Sequence, residues 1–418
     1  MSTHDKPASP FAFPAFRAFF VGKLGSTLAQ LLMVIVIGWQ VYDIARVTMS
    51  IRESAFLLGL IGLAQFAPVF LLTLVVGVIA DRVDRRYIAR AAIGLEILCA
   101  LALAAFTFSG SHTLWPLFAI AMLLGVGRAF AAPSLSALAP NLVPPAVLPG
   151  AIAWNSIGWQ TGAILGPVMG GLAYDIYAPA PYLLAALLLT LSLIALFCIP
   201  PVKLPEKTGA SGVESVKEGL RYVRGNQVVF GAISLDLVAV ILAGTNAMLP
   251  IFARDILHAG PLGLGLLRGA PALGAAAVAL WLTFRPLTRH VGITMFLNVG
   301  LFSIATIVFG LSKELWLSLP ALAVLGGADM ISVYVRQSLI QLHTPDSMRG
   351  RVSSVSTLFI SASNELGEFR AGVVASAIGA VEATVIGGVL ALGATFLWSR
   401  LFPQLRDADR FAVPDELR

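Results

Sequence analysis

Apolar residues along this chain come in long unbroken blocks separated by short polar stops. Strict two-residue alternation, the mark of a half-buried strand, is absent from the blocks. A bilayer-crossing helix needs about 20 predominantly apolar residues. Twelve blocks meet that length: 17–43, 54–80, 87–109, 114–139, 151–175 and 181–200, then 228–253, 262–284, 291–311, 315–340, 352–378 and 381–401. Barrel strands would show short alternating segments, whereas a helix satisfies its own backbone inside lipid. The pattern predicts an all-α polytopic membrane protein with 12 transmembrane helices.

One long polar stretch, Pro201 to Asn226, interrupts the series and carries Lys203, Glu206, Lys207, Glu214, Lys217, Glu218, Arg221 and Arg224. Its second half, 212–223, has helical character and suits a membrane surface. The expected organisation is therefore a six-helix half over 1–200, a cytoplasmic linker over 201–227, a second six-helix half over 228–402 and a cytoplasmic tail over 403–418. Composition agrees: 58% of residues are hydrophobic, 12% are charged and mean hydropathy is +0.87. A soluble domain of this size needs a polar coat that such a composition does not supply.

Charge placement sets the orientation. With the N-terminus inside, the inner tails and loops hold Lys6, Arg17, Lys23, Arg82, Arg85, Arg86, Arg90, the basic residues of the central loop, Arg285, Arg289, Arg349, Arg351, Arg400, Arg406, Arg410 and Arg418, against only Arg46, Arg52, Arg254 and Lys313 outside. The positive-inside rule then puts both termini in the cytoplasm of a multi-pass inner-membrane protein. The net charge of +6 needs no nucleic acid to explain it. The first residues lack the charged, apolar and small-residue sequence of a signal peptide. Cys99 and Cys198 sit in apolar segments and read as small buried hydrophobes.

The densest charge cluster, Asp81, Arg82, Asp84, Arg85 and Arg86, lies between the second and third blocks, after Gly77. Gly77-x-x-x-Asp81-Arg82-x-x-Arg85-Arg86 resembles the signature loop of the major facilitator superfamily. The fifth block carries Gly162-x-x-x-Gly166-Pro167-x-x-Gly170-Gly171. Small residues spaced four apart let helix backbones approach, and Pro167 is expected to kink the helix. This stripe resembles the signature that the superfamily associates with antiporting exporters. Phe16-Arg17, the Ala55 to Leu60 run, Glu218 to Val223, Leu249 to Ala253 and Gly367 to Gly372 are similar to the enterobactin-exporter (transmembrane secretion effector) branch. Short inner loops bearing Arg85 and Arg289, at equivalent places in the two halves, form a weak internal repeat of the kind found in parallel-repeat transporters.

Charges inside apolar blocks are costly and seldom idle. Asp236, Asp329, Glu365 and Glu368 stand out among the acids, and Arg128, Arg268, Arg336 and Arg370 among the arginines. Glu365 and Glu368 are three residues apart, share a helix face and suit a proton held between them. Asp236 has no local partner and takes either Arg336 or Arg370. Asp329 and Arg336 share a face two turns apart. Arg128, after Gly125 and Gly127, is similar in position to the buried span-four arginine of proton-coupled members; the structural alternative is pairing with Asp81 or a backbone carbonyl. The candidate proton-coupling set is thus Glu365, Glu368, Asp236, Asp329, Arg128, Arg336 and Arg370, with Gly77, Asp81, Arg82, Arg85 and Arg86 as a gating loop. Amides and aromatics that suit a mid-membrane substrate cavity are Trp39, Gln40, Asn155, Trp159, Gln160, Asn246 and Tyr334.

The sequence lacks a phosphate-binding Gly-x-x-x-x-Gly-Lys-Ser/Thr loop, which excludes an ATP-driven pump within this chain. His4, His112, His258, His290 and His343 are scattered, so no metal or other cofactor is expected, and no enzyme chemistry is indicated. The expected function is export of a small amphipathic molecule (a siderophore, drug or metabolite) by proton antiport with alternating access, from a monomer embedded in the lipid bilayer. An uptake symporter, and a non-transporting receptor or scaffold, are the alternatives.

Overall fold

The computed structural model describes residues 9–80, 83–201 and 212–411. Among them the regular structure is helical. After a 3-10 turn at Pro10–Ala12 come α1 (Pro14–Thr48), α2 (Ile51–Ala80), α3 (Arg85–Phe108), α4 (Trp115–Leu138), α5 (Leu148–Ile176), α6 (Ala180–Phe197) and α7 (Gly212–Gly225). The chain continues with α8 (Gln227–Ala243), a broken segment containing the short α9 (Leu249–Ile251), α10 (Gly260–Phe284), α11 (Val291–Leu311), α12 (Leu315–Leu342), α13 (Asp346–Ile378), α14 (Ala380–Leu401) and α15 (Pro403–Arg406). Among the described residues, ten helical segments are long and apolar enough to cross a membrane. The expected spans 151–175 and 352–378 are occupied by α5 and α13, whose 29 and 33 residues carry more small and polar side chains.

The seventh apolar block is not one helix. α8 stops at Ala243, Gly244 leaves the helical region, and the chain resumes as a 3-10 turn (Asn246–Met248), α9 and a π-helical turn (Phe252–Ile256). Pro250, without an amide proton, falls just after the break. Asn246 therefore sits exposed beside an interruption, where the sequence predicts a continuous span. Cys198 also departs from expectation: Cys99 is buried, but Cys198 is exposed because it caps the end of α6, beyond the last packed turn. Asp81, Arg82 and linker residues 202–211 fall outside the described residues.

Two compact units divide the chain. The first comprises 1–44, 64–208 and 260–269. Here the glycine stripe of α5 lies against α1. A Cβ on Gly162 would meet Thr27 Cγ2 at 2.6 Å, one on Gly166 would meet Leu31 Cβ at 3.0 Å, and one on Gly170 would meet Leu32, Val36 and Ile35 at 3.1–3.2 Å. The opposite side of α5 meets the start of α10, where Cβ atoms on Gly171 and Gly265 would run into the carbonyl oxygens of Pro261 and Pro167. The start of α3 and the end of α6 are tied by arginines. Arg86 Nη1 donates to the Ile199 carbonyl (3.0 Å) and Arg90 Nη2 to that of Leu196 (2.9 Å), satisfying acceptors that the end of α6 leaves open.

The second unit comprises 45–63, 209–259 and 270–418. Its core gathers Leu235, Met295, Phe296, Val335 and Leu339 with Leu405 of α15. The tail is part of this packing: Gly292 N donates to Ala408 O (2.9 Å), and Phe411 meets the Tyr334 ring edge-on. α7 packs on α13 through Gly219, whose hydrogen faces the Arg351 carbonyl, while Arg351 pairs with Glu218. α10 and α12 cross so closely that Cβ atoms on Gly274 and Gly326 would overlap the backbone of Ala323 and Pro271.

Gly326→Val should therefore lower the thermal midpoint of the detergent-solubilised protein, since overpacking at a backbone contact costs roughly 1–3 kcal/mol or more. Gly94→Ala, a helical site with nothing within 4 Å of the new atom, should leave it unchanged or raise it by up to about 1 kcal/mol. Equal effects of the two substitutions would contradict the packing account.

Candidate functional site

In the second unit, α8 and α12 bring three charges together. Asp236 pairs directly with Arg336, and both are buried, at 6% and 2% exposure. The two partners that the sequence offers Asp236 are thereby resolved in favour of Arg336. Asp329, two turns before Arg336 on the same face of α12, lies within the field of both groups. With Ser332 these carboxylates line a small cavity closed by Val299 and Phe302 of α11. Ser332 Oγ is buried and has no hydrogen-bond partner among the described residues. Asp236 and Asp329 thus both lie in the field of one guanidinium, beside a small cavity whose walls are mostly apolar. Such a group of charges suits binding of a proton or a cationic group.

Glu365 and Glu368 lie along α13 as expected. The Glu368 carboxylate faces Gly62 of α2, where an added Cβ would stand 3.8 Å from Oε2. Arg370 turns instead toward α14, its Nη2 about where a Gly387 side chain would begin (3.4 Å). The same Gly387 lets α14 touch the Leu242 carbonyl of α8. α8 and α13 meet at Gly244 and Gly367, so the break in α8 coincides with a backbone contact one residue from Glu368.

In the first unit, Arg128 acts on a carboxylate that sequence reasoning passed over. Glu96, at the middle of α3, is fully buried. Its two oxygens accept from Gln30 Nε2 of α1, at 2.9 and 3.1 Å, and Arg128 of α4 exerts its charge on it. Gly127 is what makes room: a Cβ there would stand 2.8 Å from Glu96 Cγ. The signal lies in the sequence, because Glu96 interrupts an apolar run as abruptly as Asp236 does.

Of the gating-loop residues, Asp81 and Arg82 lie outside the described residues and Gly77 falls in the last turns of α2. Asp84 caps α3, accepting from Arg86 N (2.9 Å) and forming a forked pair with the Arg86 guanidinium (2.7 Å). That pair holds the Asp84 carboxyl below the usual carboxylate range. The substrate candidates are dispersed. Gln40 has both ends of its amide engaged, accepting from Tyr182 Oη (2.6 Å) and donating to Thr107 Oγ1 (2.9 Å). Trp39 is buried, Tyr334 packs on the tail, Trp159 is 55% exposed, and Asn155 and Gln160 are half-buried along α5.

Long apolar helices, glycine-mediated crossings and internally paired mid-helix charges define a polytopic membrane transporter of the major facilitator fold. Solved structures bear out the fold. A POT family transporter in complex with 5-aminolevulinic acid superposes with a TM-score of 0.74 over 94% of this chain and 97% of that one, at 13% identity. A D-xylose-proton symporter gives 0.69 over 94% and 98% at 14%. At the sequence level the model of the transmembrane secretion effector family matches residues 5–414, and the chain belongs to that family. Enterobactin exporter EntS of Citrobacter koseri is 26% identical over 406 residues, covering 96% of this chain and 94% of the relative. Its counterpart in Escherichia coli O1:K1 is 25% identical, covering 92% and 91%. The protein is thus a multi-pass efflux transporter of the inner membrane.

Two outcomes check the site. Arg336→Ala should destabilise the protein by about 3–5 kcal/mol, because it leaves Asp236 buried and unpaired. The double variant Asp236→Asn/Arg336→Gln should recover part of that loss, and strictly additive effects in thermal melts would deny the pair. The depressed Asp84 carboxyl contributes stability above its unfolded pKa of about 3.9, and this contribution is lost as pH falls through the lower folded value. The stability gap between wild type and Asp84→Asn should accordingly shrink in acid; a gap independent of pH would deny the ion pair.

Proposed function

We propose that this protein exports a small amphipathic molecule of the siderophore class across the inner membrane in exchange for protons. The observation that carries this reading is the carboxylate pair Asp236 and Asp329 around one arginine, lining a small buried cavity, in a chain whose relatives are named enterobactin exporters. A charge trio of this kind gains nothing as packing, since an apolar replacement would fill the same volume at lower desolvation cost. Its protonation changes the balance of attraction on Arg336, and so gives a means of coupling proton binding to helix movement. Glu365 and Glu368 of α13, next to the α8–α13 backbone contact, extend the path.

In this reading α5 and α13 cross the membrane with the ten more apolar helices, making two six-helix halves, 1–200 and 228–402. The linker 201–227, the tail 403–418 and both termini face the cytoplasm, as the Lys and Arg bias requires. Transport proceeds by alternating access of a monomer. The glycine stripe Gly162 to Gly171 serves as a low-friction helix contact, and the Asp81 to Arg86 loop holds one end state.

A deletion strain complemented with wild type should secrete enterobactin or a related catecholate, and a protonophore should stop it. Glu368→Gln should abolish secretion at normal membrane abundance. Secretion that persists without a proton gradient, or that follows sodium, would overturn the antiport assignment. Uptake in place of secretion would favour a symporter.

A further inference from the structure

Glu96 is the carboxylate that the export reading leaves without a task, and its surroundings are unlike those of Asp236. Asp236 is held by a guanidinium, a charged partner. The direct partner of Glu96 is an amide. Gln30 Nε2 contacts both carboxylate oxygens and also lies 3.3 Å from Ser26 Oγ, one turn earlier on α1. An amide carries donors at one end and an acceptor at the other. Facing an anion it offers Nε2; turned about its last bond, it offers Oε1 to the hydroxyl of a neutral acid. A Gln–Glu pair therefore stays fully hydrogen-bonded in both protonation states, whereas an Arg–Asp pair loses its charge attraction and leaves the acid hydroxyl with no acceptor on the guanidinium.

The site is built for this acid. Gly127 of α4 has no side chain because Glu96 occupies its space, and three helices converge on it at mid-length. The charged and titratable groups acting on Glu96 are Arg128 from α4 and Cys99 from its own helix. α1 contributes the neutral Gln30 and Ser26. α6, packed along α3, carries one titratable side chain, Tyr182, whose hydroxyl donates to Gln40.

We propose that Glu96 is a proton-binding site of the first unit, separate from the Asp236–Arg336–Asp329 group, with Gln30 as its positioning residue. Protonation turns the Gln30 amide, and the hydrogen bonds between α1 and α3 reverse direction. The role rests on the proton-antiport reading, but proton binding itself is measurable without transport.

Infrared difference spectra of the purified full-length protein, taken between acid and alkaline buffer without substrate, test it. Wild type should show a protonated-carboxyl band that comes and goes with pH. Glu96→Gln should lose that band while circular dichroism and gel-filtration elution stay unchanged. Gln30→Met should keep the band at a shifted carbonyl frequency, because its hydrogen-bond partner is gone. An identical titrating band in Glu96→Gln, or an unshifted one in Gln30→Met, would overturn the site or the positioning role respectively. Should Glu96→Gln misfold, Glu96→Asp replaces it, and a band unmoved in frequency and midpoint would equally overturn the proposal. Loss of proton-driven export in wild type, with the band intact, would instead count against the antiport reading alone.

Discussion

A charge at the middle of a hydrocarbon-length helix has no water to turn to, so its counter-charge must come from the protein. The ion pair between Asp236 and Arg336 meets that requirement across α8 and α12, in a unit whose helices come into close backbone contact. α10 and α12 cross backbone to backbone at Gly274 and Gly326; α8 approaches α13 at Gly244 and Gly367 and α14 at Gly387. Each glycine removes a side chain where the helices must come close enough for short polar groups to reach across. With lipid outside as apolar as the helix surfaces, close approach and internal polar contacts are what favour association.

The first unit solves the same problem with different chemistry. There Glu96 faces an amide and, farther off, an arginine, and α5 supplies the smooth surface for α1. The two units thus carry buried acids with different partners: Asp236 in a direct ion pair, Glu96 on an amide able to bond it in either protonation state. Asp236, Asp329 and Ser332 line the small cavity of the second unit, and Ser332 Oγ has no hydrogen-bond partner among the described residues.

Helix positions were legible in the sequence because block length alone decides them: α11 occupies 291–311, the span predicted, and α3 and α14 fall within two residues of theirs. The transporter class was legible from the Gly77 to Arg86 and Gly162 to Gly171 patterns. Pairing was not. Nothing in one dimension tells Asp236 to choose Arg336 over Arg370, because the choice depends on which faces of α8, α12 and α13 meet. The break after Ala243 escaped notice since hydropathy is blind to backbone geometry, although Gly244 and Pro250 flank it. Gln40 looked free for a ligand because its partners Tyr182 and Thr107 are distant in sequence.

The central claim is that these buried charges exchange protons for cargo. Simultaneous recording of proton and enterobactin movement in proteoliposomes tests it most directly. Substrate added on one side should drive protons the opposite way, the two fluxes should keep a fixed ratio, and both should disappear together in Asp329→Asn. Substrate movement with no accompanying proton flux would contradict it.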